Sequence, residues 1–182
     1  MLSLPSELAG PVQQLRAKLA EINGSEQTCM LDAVASASRG KRLPEVQAIM
    51  ARCRQSSAAA AITVIETFRG ECAALGTQAS SSAKAAILAA TATSVSAFWA
   101  KSESLAAALA SEAASQLPAQ GSDKTTQAIT NIYSYRASSI NHYFDQLTTE
   151  QLTTLPQLTI DYVRVLSAPI TSHRARSALT PD

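Results

Sequence analysis

Large side chains are scarce in this chain. Aromatic residues make up 4% of its 182 residues although 46% are hydrophobic. The apolar content is therefore mostly alanine and small aliphatics, which excludes a thick core built around rings. Charge is also thin: 16% of residues are charged, against roughly 25% in ordinary soluble proteins. Fifteen Lys and Arg face 14 Asp and Glu, a net charge of +1, so no global field draws in nucleic acid or an anionic membrane. No apolar run reaches the ~18 residues of a membrane-spanning helix. The nearest, residues 83–100, is interrupted by Lys84, Thr91, Thr93, Ser94 and Ser96. The opening MLSLPSELAG has no basic n-region or long apolar stretch and does not read as a signal peptide. A mature secreted or surface-associated form would read the same way. Glycine-rich phosphate loops, GxSxG and HExxH are missing, and with them any sequence basis for a cofactor.

What is present is helical periodicity. Val12, Leu15, Leu19 and Ile22 recur three or four residues apart behind Pro11, a favoured first-turn residue. Asn23-Gly24 reads as a helix stop, and Ser25 with Glu26 in the first turn reads as the start of a second, shorter helix. After the connector RGKRLP, Pro44-Glu45 opens a long helix. Its stripe is Val46, Ile49, Cys53, Ser57, Ala60, Val64, Phe68 and Leu75. Another helix spans about 80–116, with Leu88, Thr91, Val95, Phe98, Ser102, Leu105 and Leu109 in phase, and Pro118 with Gly121 ends it. These two helices would be about 45 and 55 Å long at ~1.5 Å per residue, too long for a compact globule of this size. A further helix over about 123–147 carries Ile129, Ile132, Tyr133, Arg136, Ile140, Tyr143, Phe144 and Leu147. LTIDYVRVL at 158–166 is rich in β-branched residues but has no strand to pair with, and reads as helix. The expected fold is all-α: an elongated antiparallel bundle of four main helices plus short terminal helices. It forms one domain over 1–170, followed by a polar tail over 171–182.

The stretch QSSAAAAITVIETFRGECAAL places four alanines in a row on the first long helix. Small residues at a helix contact let two backbones approach closely, and alanine has the highest helix propensity. Close pairing of long helices along such seams is the expectation, at the expense of apolar area buried per residue.

Cys29, Cys53 and Cys72 are odd in number, so a disulfide would leave one thiol over. Cys53 and Cys72 share one helix and lie about 28 Å apart at ~1.5 Å per residue, beyond the ~7 Å between Cα atoms that a disulfide spans. The two arrangements left are three free thiols, or a Cys29–Cys53 bond with Cys72 free.

Few residues suggest chemistry. IYSYRASSINHYF gathers Tyr133, Arg136, His142 and Tyr143 into a candidate polar and aromatic cluster, with Arg stacked on Tyr or rings filling the bundle with their hydroxyls in water. Arg136 is out of character there, because it falls in the apolar phase. Either the stripe rotates or Arg136 pairs with a carboxylate from another helix. His142 and Asp145 could share a metal, but two ligands from one turn are not a site. Arg39, Lys41, Arg42, Arg52 and Arg54 form the basic cluster, a candidate partner contact. No aromatics interleave with it for base stacking, so nucleic acid is disfavoured. Asn23-Gly24-Ser25 fits the glycosylation pattern.

In composition alone the chain resembles polyester-granule coat proteins (phasins) and some parasite or insect surface and secreted proteins; no motif matches residue by residue. Long small-residue helices without a catalytic, cofactor or metal constellation point to a non-enzymatic structural or protein-interaction subunit, with a protein partner or self-association. The alternative is an amphipathic-helix carrier or coat for lipid or another apolar ligand.

Overall fold

A computed structural model describes residues 4–149. They form an all-α bundle of four long helices, α1 (Ala9–Ala35), α2 (Leu43–Thr77), α3 (Ser82–Ser115) and α5 (Ser122–Thr149), with one short helix, α4 (Leu117–Gln120). A 3-10 turn over Ser6–Leu8 leads into α1. Helix α1 packs on α2 and α5, and α3 packs on α2 and α5, so the four run up and down around a square. The segment 158–166 and the tail 171–182 lie outside the described residues.

Local chemistry sets the turns. After α1 the chain makes a 3-10 turn over Ser36–Arg39 and then Gly40 enters the left-handed region at φ 91°. The Lys41 N–H donates to the Ser36 carbonyl (3.1 Å) and the Gly40 N–H to the Ala37 carbonyl (3.2 Å). This is the paired closure that glycine permits at a helix end. Glu45 accepts from the Arg42 backbone N–H (2.8 Å) at the start of α2, with Pro44 in the first turn. The Ser81 hydroxyl accepts from the Lys84 N–H (3.2 Å) and caps α3.

Helix α1 corrects the expected stop at Asn23-Gly24. It runs unbroken through both residues. Gly24 sits on the open side, where an added Cβ would meet nothing within 4 Å. Asn23 is 2% exposed, and its amide donates to the Tyr133 carbonyl of α5 (3.1 Å). A mid-helix glycine costs about 1 kcal/mol relative to alanine. The tertiary anchors on either side of Gly24 outweigh it. The glycosylation reading of Asn23 is corrected as well, since a buried amide in mid-helix cannot accept a glycan.

The buried face of α2 is Val46, Met50, Cys53, Ser57, Ala61, Ile65, Phe68 and Cys72. Ala60 and Val64, expected on the stripe, sit one residue off it: Ala60 is exposed and Val64 half-buried. The burial pattern repeats after 11 residues, from Val46 to Ser57 to Phe68 and from Met50 to Ala61 to Cys72. An 11-residue repeat is 3.67 residues per turn, close to that of a straight helix. Of the four consecutive alanines only Ala61 enters the core, because successive helical residues are about 100° apart and cannot share a face. The small-residue seam lies instead on α3, at Ala92, Ala106, Ala110, Ala113 and Ala114. Helix α3 is also the one described helix long and apolar enough by composition to cross a membrane. Its wide buried face is what a central bundle helix requires.

The core has two apolar parts. One, at the end where the chain begins, includes Leu8, Leu19, Phe68, Phe98, Tyr143 and Phe144. Phe98 and Tyr143 stack with centroids 4.1 Å apart and planes 4° apart. The other, at the opposite end, includes Met30, Val34, Met50, Ala110, Ile129 and Ile132. The α2 phase is testable by substitution. Phe68→Ala should cost about 3–5 kcal/mol, whereas half-buried Val64→Ala should cost no more than about 1 kcal/mol. Urea unfolding midpoints of the two variants measure the difference.

Candidate functional site

Between the two apolar parts lies a buried polar layer to which all four long helices contribute. Its members are Asn23 and Glu26 on α1, Ser57 on α2, Ser102 on α3, and Arg136 and Ser139 on α5. The Arg136 Nη1 donates to Glu26 Oε2 at 3.2 Å, with both side chains 1% exposed. The Arg136 Nε donates to Ser102 Oγ (3.0 Å), and the guanidinium carbon lies 4.2 Å from the centroid of the Trp99 ring. Of the two readings open for Arg136, the structure has the ion pair with another helix, and the ring it stacks on is Trp99 rather than a tyrosine.

The layer is incompletely satisfied. Among the described residues Glu26 Oε1, Arg136 Nη2, Asn23 Oδ1 and the Tyr133 hydroxyl are buried without a well-formed hydrogen bond, although the Tyr133 hydroxyl faces the Glu26 carboxylate. They sit on facing turns of α1 and α5, since Asn23 precedes Glu26 by three residues and Tyr133 precedes Arg136 by three. Burial pushes the Tyr133 phenol up, and the Glu26 charge adds to it. Burial acts to lower the Arg136 guanidinium while Glu26 opposes; arginine remains a cation in any case. Half-buried Glu103 has its carboxyl raised by burial, with Arg136 pulling the other way.

The remaining candidates do not converge on this layer. Tyr143 lies in the first apolar part, its hydroxyl 2.7 Å from Ser94 Oγ, so neither tyrosine sends its hydroxyl to water as one reading had it. His142 is exposed on the outer side of α5, 3.1 Å from the Gln146 amide. Asp145 instead pairs with Arg16 of α1 (2.7 Å). Among the described residues no group of three metal-ligating side chains forms. The basic cluster divides: Arg39, Lys41 and Arg42 are exposed at the α1–α2 turn and Arg52 on α2, while Arg54 points toward α3 and reaches Ser111 Oγ (3.4 Å). Residues 52 and 54 are about 200° apart around the helix, which separates them.

Cys29 and Cys53 are bonded across α1 and α2, with Cα atoms 5.8 Å apart. Cys72 is a buried free thiol, pushed up to about 11 by burial. Alongside the disulfide an open groove of about 460 Å³ runs between α1 and α2, lined by Lys18, Glu21, Ser25, Ser56, Ser57 and Ala60 among others.

Sequence reasoning missed Glu26, Ser102 and Trp99 as partners of Arg136. Glu26 carried a signal: it continues the phase of Val12, Leu15 and Leu19 once the helix is not stopped at Asn23. Trp99 and Ser102 are three residues apart on one helix face, but nothing in their own segment points to an arginine 34 residues away from Ser102. No protein-family model, curated protein or solved structure matches the chain. The fold and its layer define a disulfide-tied antiparallel four-helix bundle with an internal charge pair.

Two predictions follow from the layer. Glu26→Ala or Arg136→Ala alone should cost about 3–5 kcal/mol, because each strands a buried charge. The double Glu26→Leu/Arg136→Met exchange should lie within about 1 kcal/mol of the parent or above it, as measured by urea unfolding. The second prediction concerns alkaline pH. In the unfolded chain Tyr133 ionises near about 10, while in the bundle burial holds it neutral to higher pH. Above about pH 10 the unfolded state therefore loses a proton that the folded state keeps, and stability falls as pH rises. Tyr133→Phe should shed less stability than the parent between about pH 9 and pH 11 in a thermal-melt series.

Proposed function

We propose that this chain is a non-enzymatic interaction subunit, a rigid helical scaffold that presents its α1–α2 groove to a helix of a protein partner. The supporting observation is the groove itself. Its walls are held at fixed spacing by the Cys29–Cys53 bond, and Ser25, Ser56, Ser57 and Ala60 line it. Small side chains admit a third helix backbone closely, and interhelical distance depends on the side chains at the contact. Lys18 and Glu21 also line the groove, one helical turn apart and of opposite charge, and supply orientation more than affinity. A preformed groove avoids the ordering cost that a flexible surface pays on binding.

The second reading, a carrier or coat for lipid, is favoured by the apolar composition of α3. Opening the bundle around an apolar phase would separate α1 from α5 and break the buried Glu26–Arg136 pair. That is a large cost for an interfacial helix protein to meet.

Photocrosslinking in the source cells or fluid separates the two. A photoreactive side chain replacing Ser56 should capture one protein, or a second copy of the chain. The same group replacing Ser138, on the outer face of α5, should not. Ala60→Trp, which fills the groove from an exposed position, should abolish the Ser56 adduct with helicity unchanged. Equal capture from both positions, or capture that survives Ala60→Trp, would sink the groove reading. Flotation with phosphatidylcholine vesicles, accompanied by no Ser56 adduct, would favour the lipid reading instead.

A further inference from the structure

We infer that the Cys29–Cys53 bond is a redox latch on the buried charge layer: its reduction admits water to Glu26 and Arg136 while the two apolar ends of the bundle stay closed. The inference stands independently of whether a partner occupies the groove.

The latch and the layer are neighbours. Cys29 lies three residues after Glu26 on α1, and Cys53 lies four residues before Ser57 on α2, so the bond crosses the α1–α2 seam one turn from the polar layer. At that height the seam mixes small residues with half-buried Ile22 and Val64. Ser25, Ser56, Ser57 and Ala60 line the groove there, and small or hydroxylated side chains bury little apolar area. At both ends the helices are held by larger apolar residues, Leu19 and Phe68 on one side and Met30 and Met50 on the other. Behind the seam, where α1 faces α5, Glu26 Oε1, Arg136 Nη2, Asn23 Oδ1 and the Tyr133 hydroxyl lack a well-formed hydrogen bond among the described residues. Unpaired buried polar groups carry an unrecovered desolvation cost, so water that reaches them is held. The disulfide closes the short route between solvent and layer.

The bond is reachable. Cys29 is half-buried, and both cysteines line the open groove. A small dithiol can attack as its thiolate: the new bond forms to the Cys29 sulfur, and Cys53 leaves with the electron pair and takes up a proton. The second thiolate of the reagent then displaces Cys29, which is protonated in turn. Two electrons pass to the protein and the reagent leaves as its cyclic disulfide. Cys72 does not intervene, because it is buried at the far end of α2.

Trp99 is the only tryptophan and it packs on Arg136, so its emission reports on the layer directly. Full-length protein is compared oxidised and after dithiothreitol. Reduction should red-shift Trp99 emission and speed amide exchange at least about tenfold over residues 23–29 and 54–60. Residues 12–19 and 109–117 should be unaffected. A Cys29→Ser/Cys53→Ser variant should match the reduced protein and ignore dithiothreitol. Identical emission and exchange in both redox states would overturn the latch. So would acceleration spread evenly over all four helices, since that is global destabilisation. Should the double variant not fold, the oxidised and reduced parent protein decide the matter by themselves.

Discussion

One salt bridge organises this bundle. Glu26 and Arg136 come from helices at opposite ends of the described chain, and both are shut away from water. Taking two charges out of water costs several kcal/mol per ion, and their mutual attraction repays this only with good geometry and additional hydrogen bonds. The surroundings are arranged around that requirement. Ser102 accepts from the guanidinium edge, Trp99 covers its face, and the Asn23 amide ties α1 to the α5 backbone one turn away. A one-residue slide of α5 on α1 would leave Glu26 opposite an apolar side chain. The layer therefore selects a single register, a role for which buried polar groups are best attested.

The same requirement accounts for the division of the core. An ionic layer cannot be covered by rings on every side, so the apolar residues gather above and below it. Few large residues are available, and the aromatics are used where they also serve polar neighbours: Trp99 under Arg136, Tyr143 against Phe98 with its hydroxyl on Ser94. Elsewhere alanine on α3 compensates by close approach, and helices of 34 and 35 residues compensate by length. At the α1–α2 seam a covalent bond beside the polar layer adds to the packing of the two helices. By constraining the unfolded chain, a disulfide adds stability without needing buried area.

Much of this was legible in residue spacing. The long helices over 44–76 and 80–116, the end at Pro118 and Gly121, and the stripe from Ile129 to Leu147 are visible because apolar period and breaker residues agree. The misreadings have two causes. Asn23-Gly24 resembles a helix stop, yet Asn23 is anchored by a carbonyl 110 residues away, and no local rule includes that term. Placing Ala60 and Val64 on the stripe of α2 was an error of one position, about 100° of rotation. Small residues give the pattern too little contrast to fix its phase.

The sequence by itself determined that the chain is built of long helices, that Cys53 and Cys72 cannot bond within one straight helix, and that Arg136 stands in an apolar phase, where either the stripe rotates or another helix supplies a carboxylate. These follow from periodicity, rise per residue and the cost of a buried charge, all of which act within one segment. Only the tertiary structure decided which carboxylate answers Arg136, that α1 continues through Gly24, that Asn23 is closed to solvent, and that Cys29 meets Cys53 beside an open groove. Each depends on which faces of separate helices meet, and that is set by the packing of all four together.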